Sequence, residues 1–205
     1  MNYSHLRCSI LNYGAGNISS VFKFCSLFGF RSTEIISINS SANLDTDILV
    51  IPGVGSFGFG SSQIHANQSV VNSIKDHLNS PKLSIGICLG AQLLLDTSDE
   101  SPGYAGLSYI NGTSKLLSSS PSYLGTVPRI GWSAVEYNDI IDYFYFVHSY
   151  HMLPIEPDLC LTTLDNIVAA FRFNSVWGLQ FHPEKSSSSG YNFFSYILDD
   201  YVKAN

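Results

Sequence analysis

Short apolar runs that close on glycine constrain this chain more than any other feature of it. Cys8-Ser9-Ile10-Leu11-Asn12-Tyr13 ends in the turn cluster Gly14-Ala15-Gly16-Asn17. Asp47-Ile48-Leu49-Val50-Ile51 stops at Pro52-Gly53, and Leu83-Ser84-Ile85-Gly86-Ile87 leads toward Gly90. Runs this short and this β-branched favour strands buried on both faces. Elsewhere the period changes. Ile18, Val21, Phe22, Cys25 and Phe28 recur at helical spacing, Val70 to Leu78 reads as a second helix, and Ala91 to Leu95 begins a third. Strand alternating with helix predicts a parallel sheet covered on both faces.

The second half has another rhythm. Ser133-Ala134-Val135-Glu136-Tyr137, Tyr143 to Val147, Leu159 to Thr163, Ile167 to Phe171 and Val176 to Phe181 read as strands at short spacing, so some are expected to pair antiparallel. Tyr191 to Tyr201 predicts an amphipathic helix, and the serine clusters Ser118-Ser119-Ser120 and Ser186 to Ser189 predict loops. No repeat or linker divides the chain. The expectation is one domain over residues 1–205, an α/β fold with a mostly parallel central sheet flanked by helices and additional antiparallel strands in the second half.

Its 205 residues can bury a sizeable core, and 45% hydrophobic residues argue against disorder. The net charge of -6, without a basic run, argues against nucleic acid, whose phosphates need clustered Lys and Arg. No apolar stretch approaches the ~20 residues that span a bilayer. Met1-Asn2-Tyr3-Ser4-His5 begins no signal-peptide pattern, so a cytoplasmic protein with no membrane association is expected. Cys8, Cys25, Cys88 and Cys160 lie far apart without a CxxC pair, which argues against a zinc site and a disulfide framework. Cys8, Cys25 and Cys160 read as core filler.

Cys88 needs another explanation. Gly86-Ile87-Cys88-Leu89-Gly90 sits between a strand and a helix, as the cysteine form of a nucleophile elbow. Glycines on both sides let a strained turn lift the sulfur clear of the sheet. A helix N-terminus favours thiolate, and the N–H of Leu89 becomes one oxyanion donor. A thiol nucleophile also needs a base and a group to orient it. His5 lies in the terminal tail, and His65 and His77 read as surface residues. His148 and His151 follow an aromatic strand and could line a pocket. His182 follows an apolar strand and precedes Pro183-Glu184; if the segment is extended, His182 and Glu184 point the same way, and the carboxylate can fix the imidazole tautomer. Gly53 and Gly55, after the strand ending at Ile51, allow N–H groups to turn toward a ligand facing Cys88. Read as a phosphate loop, this segment is only a lone GxGxxG without the lysine of a P-loop.

Together these motifs resemble the class I glutamine amidotransferases. The elbow Gly86-Ile87-Cys88-Leu89-Gly90-Ala91-Gln92 and the late Gln180-Phe181-His182-Pro183-Glu184 carry the resemblance. More narrowly, the chain is similar to the glutaminase subunits of imidazole glycerol phosphate synthase. That match rests on residues 12–17 and 52–57, Val127-Pro128, Gly131-Trp132, Phe146-Val147-His148-Ser149-Tyr150 and Lys185-Ser186. The resemblance implies a Cys88–His182–Glu184 triad and an oxyanion hole from Gly53, Val54 and Leu89. It implies glutamine contacts from Gly55, Gln92, Ser149 and Tyr150, and no cofactor or metal. It implies a heterodimer with a (β/α)8-barrel cyclase that receives ammonia in histidine biosynthesis. Asn12, Arg129, Trp132, Tyr145 and Lys185 match positions near that partner.

The chain departs from the family pattern at Arg129 and Ser133, in a stretch that commonly reads Val-Pro-His-(Met/Ile)-Gly-Trp-Asn, and at Ala91, where methionine is usual. Arg129 is expected to face an Asp or Glu of the partner. The alternative reading is a glutaminase serving a different synthase, such as a sugar-amidinating enzyme of surface-polysaccharide synthesis. A catalytically silent partner-binding subunit and a generic cysteine hydrolase are the remaining alternatives. The complete triad set opposes the first, and Gln92 opposes the second.

Overall fold

The three apolar runs of the first half form the middle of a seven-stranded sheet. The computed structural model describes residues 1–38 and 44–204. In chain order the elements are β1 (Arg7–Asn12), α1 (Ile18–Ser26), β2 (Ser32–Ser37), β3 (Ile48–Ile51), α2 (Phe57–His65), α3 (Gln68–Leu78), β4 (Leu83–Ile87), α4 (Leu89–Gln92), β5 (Thr97–Ser98), β6 (Gly112–Leu116), β7 (Arg129–Tyr137), β8 (Ile140–His148), β9 (Tyr150–Pro154), β10 (Leu159–Thr162), β11 (Val168–Phe173), β12 (Val176–Leu179) and α5 (Ser187–Ala204). Single 3-10 turns lie at Leu117–Ser119 and Pro183–Lys185.

The large sheet runs β10-β11-β12-β4-β3-β1-β2. From β2 to β12 neighbouring strands pair parallel, and the β12-β11-β10 edge is antiparallel. The fold is therefore the expected one. Successive side chains alternate faces. Cys8, Ile10, Ile48, Val50 and Ile85 pack with Val21 and Cys25 of α1 and with Phe193, Phe194 and Ile197 of α5. Leu11, Leu49 and Ile51 pack with Ile64 of α2 and Val70, Val71 and Ile74 of α3. Each side chain buried this fully contributes roughly 1.5–3 kcal/mol. A three-stranded sheet β5-β6-β9 and a ribbon β7-β8 complete the fold.

Side chains set the helix starts. The Asn17 carboxamide accepts from Ser20 N, Ser56 Oγ from Phe59 N, and Asn67 from Ser69 N and Val70 N. Ser187 to Ser189, expected as a loop, instead open α5; serine suits a first turn, where backbone N–H groups lack helical partners. The helix expected from Ala91 begins at Leu89 and lasts one turn. β2 and α2 were not legible: β2 is a polar edge strand, and Gly58 and Gly60 obscure the period of α2. His77, expected at the surface, is buried with a ring nitrogen 3.0 Å from Ser84 Oγ on β4. Cys160, expected in the core, is exposed on the edge strand β10.

Parallel strands end together, so Tyr13 after β1, Pro52-Gly53 after β3, Cys88 after β4 and Gln180 to His182 after β12 meet at one edge of the sheet.

Candidate active site

β4 runs straight into the turn that carries Cys88, whose φ is +52° and ψ -108°. A side chain seldom adopts this conformation, and the surroundings enforce it. Cys88 N–H donates to Leu179 O at 2.7 Å, which ties the turn to β12. A Cβ on Gly86 would stand 2.7 Å from Ala91 Cα, and one on Gly90 would run into the Ile51 carbonyl. Only glycine fits on either side of the cysteine. α4 is a single turn, so it offers Cys88 its free N–H groups rather than the dipole of a long helix. Cys88 is 6% exposed, its sulfur 3.9 Å from Val147 O, with Gln180 Nε2 at the same distance.

His182 comes from the adjacent strand end. Its N–H donates to Tyr145 O at 2.9 Å, and its Nδ1 lies 2.8 Å from Glu184 Oε1. Both side chains are 2% exposed. The pairing is the expected one, but the segment is not extended: Pro183–Lys185 form a 3-10 turn that folds the carboxylate back onto the ring. Among the described residues His182 Nε2 has no aligned hydrogen-bond partner, which leaves it free for a proton. Burial opposes charge on this ring, but Cys88 and Glu184 beside it outweigh burial and raise its pKa from 6.5 to about 10. The site thus favours an imidazolium between two acidic groups.

A cavity of about 430 Å³ opens over the sulfur. Of the expected residues, Val54, Gly55, Cys88, Leu89, Gln92, Ser149, Tyr150 and Lys185 line it, and Gly53 lies beneath the wall, against Leu89. Gln92 Nε2 donates to Tyr150 O at 2.8 Å and to Gln180 Oε1 at 3.3 Å, so one amide couples α4, β9 and the base of the site. Two residues went unassigned by the sequence. Gln180 is fully buried next to the sulfur. Glu100 lines the cavity while its Oε2 accepts from Phe57 N, at the start of α2, at 2.6 Å. Neither had a signal in spacing, because each is placed by a strand end or loop far away in the chain. His148 also lines the cavity; burial lowers its pKa to about 4, and its Nδ1 faces Tyr150 O at 2.9 Å, so the ring is neutral with Nδ1 protonated.

The expected partner-facing residues divide. Trp132 is half exposed and meets Tyr145 edge-on, with centroids 6.0 Å apart, and Lys185 Nζ lies 5.9 Å above the Tyr145 ring. Of these three, Lys185 lines the cavity together with Val147 and Pro128, and Tyr145 and Trp132 adjoin it through the Lys185 contact. Asn12 lies away from it, its Oδ1 accepting from Gly14 N. Arg129 corrects the expectation. Its side chain is 11% exposed, 3.2 Å from Asp165, 2.7 Å from Ser133 Oγ, and 4.9 Å from the Phe146 centroid. The carboxylate expected on a partner is supplied by this chain.

The family described as glutamine amidotransferase class-I matches residues 12–196. The chain is 36% identical over 194 residues to the imidazole glycerol phosphate synthase subunit HisH of Chlorobaculum tepidum, covering 88% of this chain and 94% of that one. It is 33% identical over 201 residues to the HisH subunit of Thermotoga maritima, covering 95% and 97%. Among solved structures, one titled a glutamine amidotransferase superposes with a TM-score of 0.75 at 14% identity over 95% of this chain and 98% of that one. The PurLQS structure from Thermotoga maritima gives 0.72 at 19%, over 95% and 98%. The structural matches speak to fold.

Proposed function

Because the chain belongs to the class I glutamine amidotransferases, and within them to the HisH subunits of imidazole glycerol phosphate synthase, we propose that it hydrolyses glutamine and passes the ammonia to a (β/α)8-barrel cyclase. In that reading the two subunits form a heterodimer that makes imidazole glycerol phosphate and AICAR in histidine biosynthesis. The observation that carries the chemistry is the elbow at Cys88 beside the buried His182–Glu184 pair, 2.8 Å apart.

His182 takes the proton of Cys88, and the thiolate attacks the side-chain amide carbon of glutamine. Glu184 holds Nδ1 and stabilises the imidazolium, which keeps Nε2 for the proton. Charge gathers on the amide oxygen, opposite the N–H groups of Gly53, Val54 and Leu89. His182 then protonates the leaving nitrogen, and ammonia departs. Water, deprotonated by the same imidazole, hydrolyses the γ-glutamyl thioester to glutamate and restores the thiol.

The cavity suits glutamine at its other end. Glu100 is the carboxylate that lines it and matches the substrate ammonium, while Ser149 and Tyr150 face the same space. Lys185 on the cavity wall, with Tyr145 and Trp132 packed beside it, gives a partner an aromatic and cationic surface next to the cavity. Covering that surface keeps ammonia from bulk water. Cys88→Ala tests the reading: glutamate release is expected to disappear while the partner's reaction with ammonium salt continues. Substantial glutaminase activity in a folded Cys88→Ala protein with partner present refutes it.

A further inference from the structure

Tyr13 follows β1 where the chain turns into Gly14. It is fully buried, and its hydroxyl donates to the Pro52 carbonyl at 2.6 Å. The mechanism above does not use it. Burial, with Cys88 close by, pushes the phenol's pKa up, so it remains a donor at neutral pH.

What this bond holds follows from peptide geometry. A trans peptide is planar, and its C=O and N–H point in opposite directions. Fixing the Pro52 carbonyl therefore fixes the direction of Gly53 N–H. Gly53 has no room to shift in response. A Cβ there would collide with the Tyr13 hydroxyl and stand 2.8 Å from Leu89 Cβ and 2.9 Å from Gly90 N. Gly16 closes on it from another side: a Cβ on Gly16 would lie 3.4 Å from both Gly53 Cα and N. Two residues further on, the situation reverses. Gly55 has φ +108° with open space around its Cα, and Val54 and Gly55 are exposed on the cavity wall. The segment is clamped at one end and free at the other.

We propose that Tyr13 is a positioning residue for the oxyanion strand: its hydroxyl clamps the Pro52–Gly53 peptide against the elbow, so that the strand's N–H groups face the carbonyl under attack while Gly55 stays the hinge. This rests on the reading of Gly53, Val54 and Leu89 as oxyanion donors. It separates two properties of the site. Thiolate formation depends on His182 and Glu184, to which Tyr13 makes no hydrogen bond; stabilisation of the tetrahedral adduct depends on the clamp.

Tyr13→Phe removes the oxygen and keeps the ring. Wild type and variant, each with the cyclase partner, are compared in three measurements: glutamate release, alkylation of Cys88 by iodoacetamide, and binding of L-glutamate γ-semialdehyde. With the aldehyde, the Cys88 sulfur bonds to the carbonyl carbon and the C=O π pair moves onto oxygen, so the adduct carries the oxyanion and has no leaving group. In the variant kcat is expected to fall about 10- to 100-fold and aldehyde binding to weaken by a similar factor. KM for glutamine and the alkylation rate are expected to stay within about twofold. Unchanged kcat and unchanged aldehyde affinity overturn the clamp. A parallel fall in alkylation overturns it too, because that marks a general loss of site structure. If wild type itself forms no adduct with the aldehyde, the oxyanion reading has failed, and the clamp falls with it.

Discussion

Acid is expected to unfold this protein earlier than its carboxylates alone would require. His77 and His148 are 4% and 6% exposed. Burial, the larger influence on each, lowers both from 6.5 to about 4; Lys82 adds to this at His77 and Arg129 at His148. In the unfolded chain both return to about 6.5. Between pH 6.5 and 4 the unfolded state therefore binds more protons, and stability falls as pH falls. Going from pH 7 to pH 5, each histidine removes about 2 kcal/mol by this linkage, roughly 4 kcal/mol together. His182 works the other way. Held at about 10, it is protonated in the fold throughout this range, and it returns about 1 kcal/mol as the unfolded chain ceases to resist protonation. A net loss of about 3 kcal/mol is expected, a large share of an ordinary stability of ~5–15 kcal/mol. Urea unfolding at the two pH values, followed by fluorescence of the buried Trp177, measures it. His77→Gln removes one titration and is expected to reduce the loss by about two-thirds, to about 1 kcal/mol. A stability that changes by less than about 1 kcal/mol, or an unchanged slope in His77→Gln, refutes the reasoning.

Three further outcomes are expected. Glu100→Gln keeps an acceptor for the Phe57 N–H but removes the charge in the cavity, so KM for glutamine should rise about 10- to 100-fold with kcat less affected, as steady-state kinetics would show. Glu184→Gln removes the negative charge that supports the imidazolium and should lower kcat by roughly 10²- to 10⁴-fold without a matching loss of glutamine affinity. Asp165→Asn leaves the Arg129 guanidinium without its counter-charge; because Asp165 is 33% exposed, chemical denaturation should register only about 1–3 kcal/mol, below the value for a fully buried pair.

The parallel sheet was legible because its central strands are buried on both faces. Ile48 to Ile51 and Leu83 to Ile87 are each continuously buried, and a strand of that kind must read as an unbroken apolar run. Where one face meets solvent, that necessity lapses. β2 is half polar at the sheet edge, and β6 and β9 pair in a small sheet that includes Ser114 and His151. At the elbow, the steric demand of the turn fell on Gly86 and Gly90, so the geometry was written into two residues. The Glu184 carboxylate was legible beside His182, but for a mistaken reason. The sequence offset allowed His182 and Glu184 to meet in an extended strand, but they meet through a 3-10 turn with Pro183 at its start. Proline's fixed φ suits both conformations, so a local pattern could specify that the pair forms without specifying how.

Arg129 shows where local reading stops. Its acceptors are Asp165, in the turn between β10 and β11, and Ser133, four residues further along β7. A guanidinium among these groups and the Phe146 face needs no partner chain. Arg129 and Ser133, the two departures within one short motif, are thus the two ends of a single 2.7 Å hydrogen bond. They form one internal change, and Asp165 completes it. Thr163 Oγ1 also donates to Asp165, which holds the carboxylate in place. Arginine in place of histidine at 129 would bury a fixed charge, at a penalty of several kcal/mol if unpaired. Serine at 133 and the carboxylate from the neighbouring turn offset it. The cavity wall at Pro128, next to Arg129, is thereby tied to the β10–β11 turn. Trp132 stays exposed, so the altered residues pack inward and do not take part in the exposed aromatic surface of the ribbon.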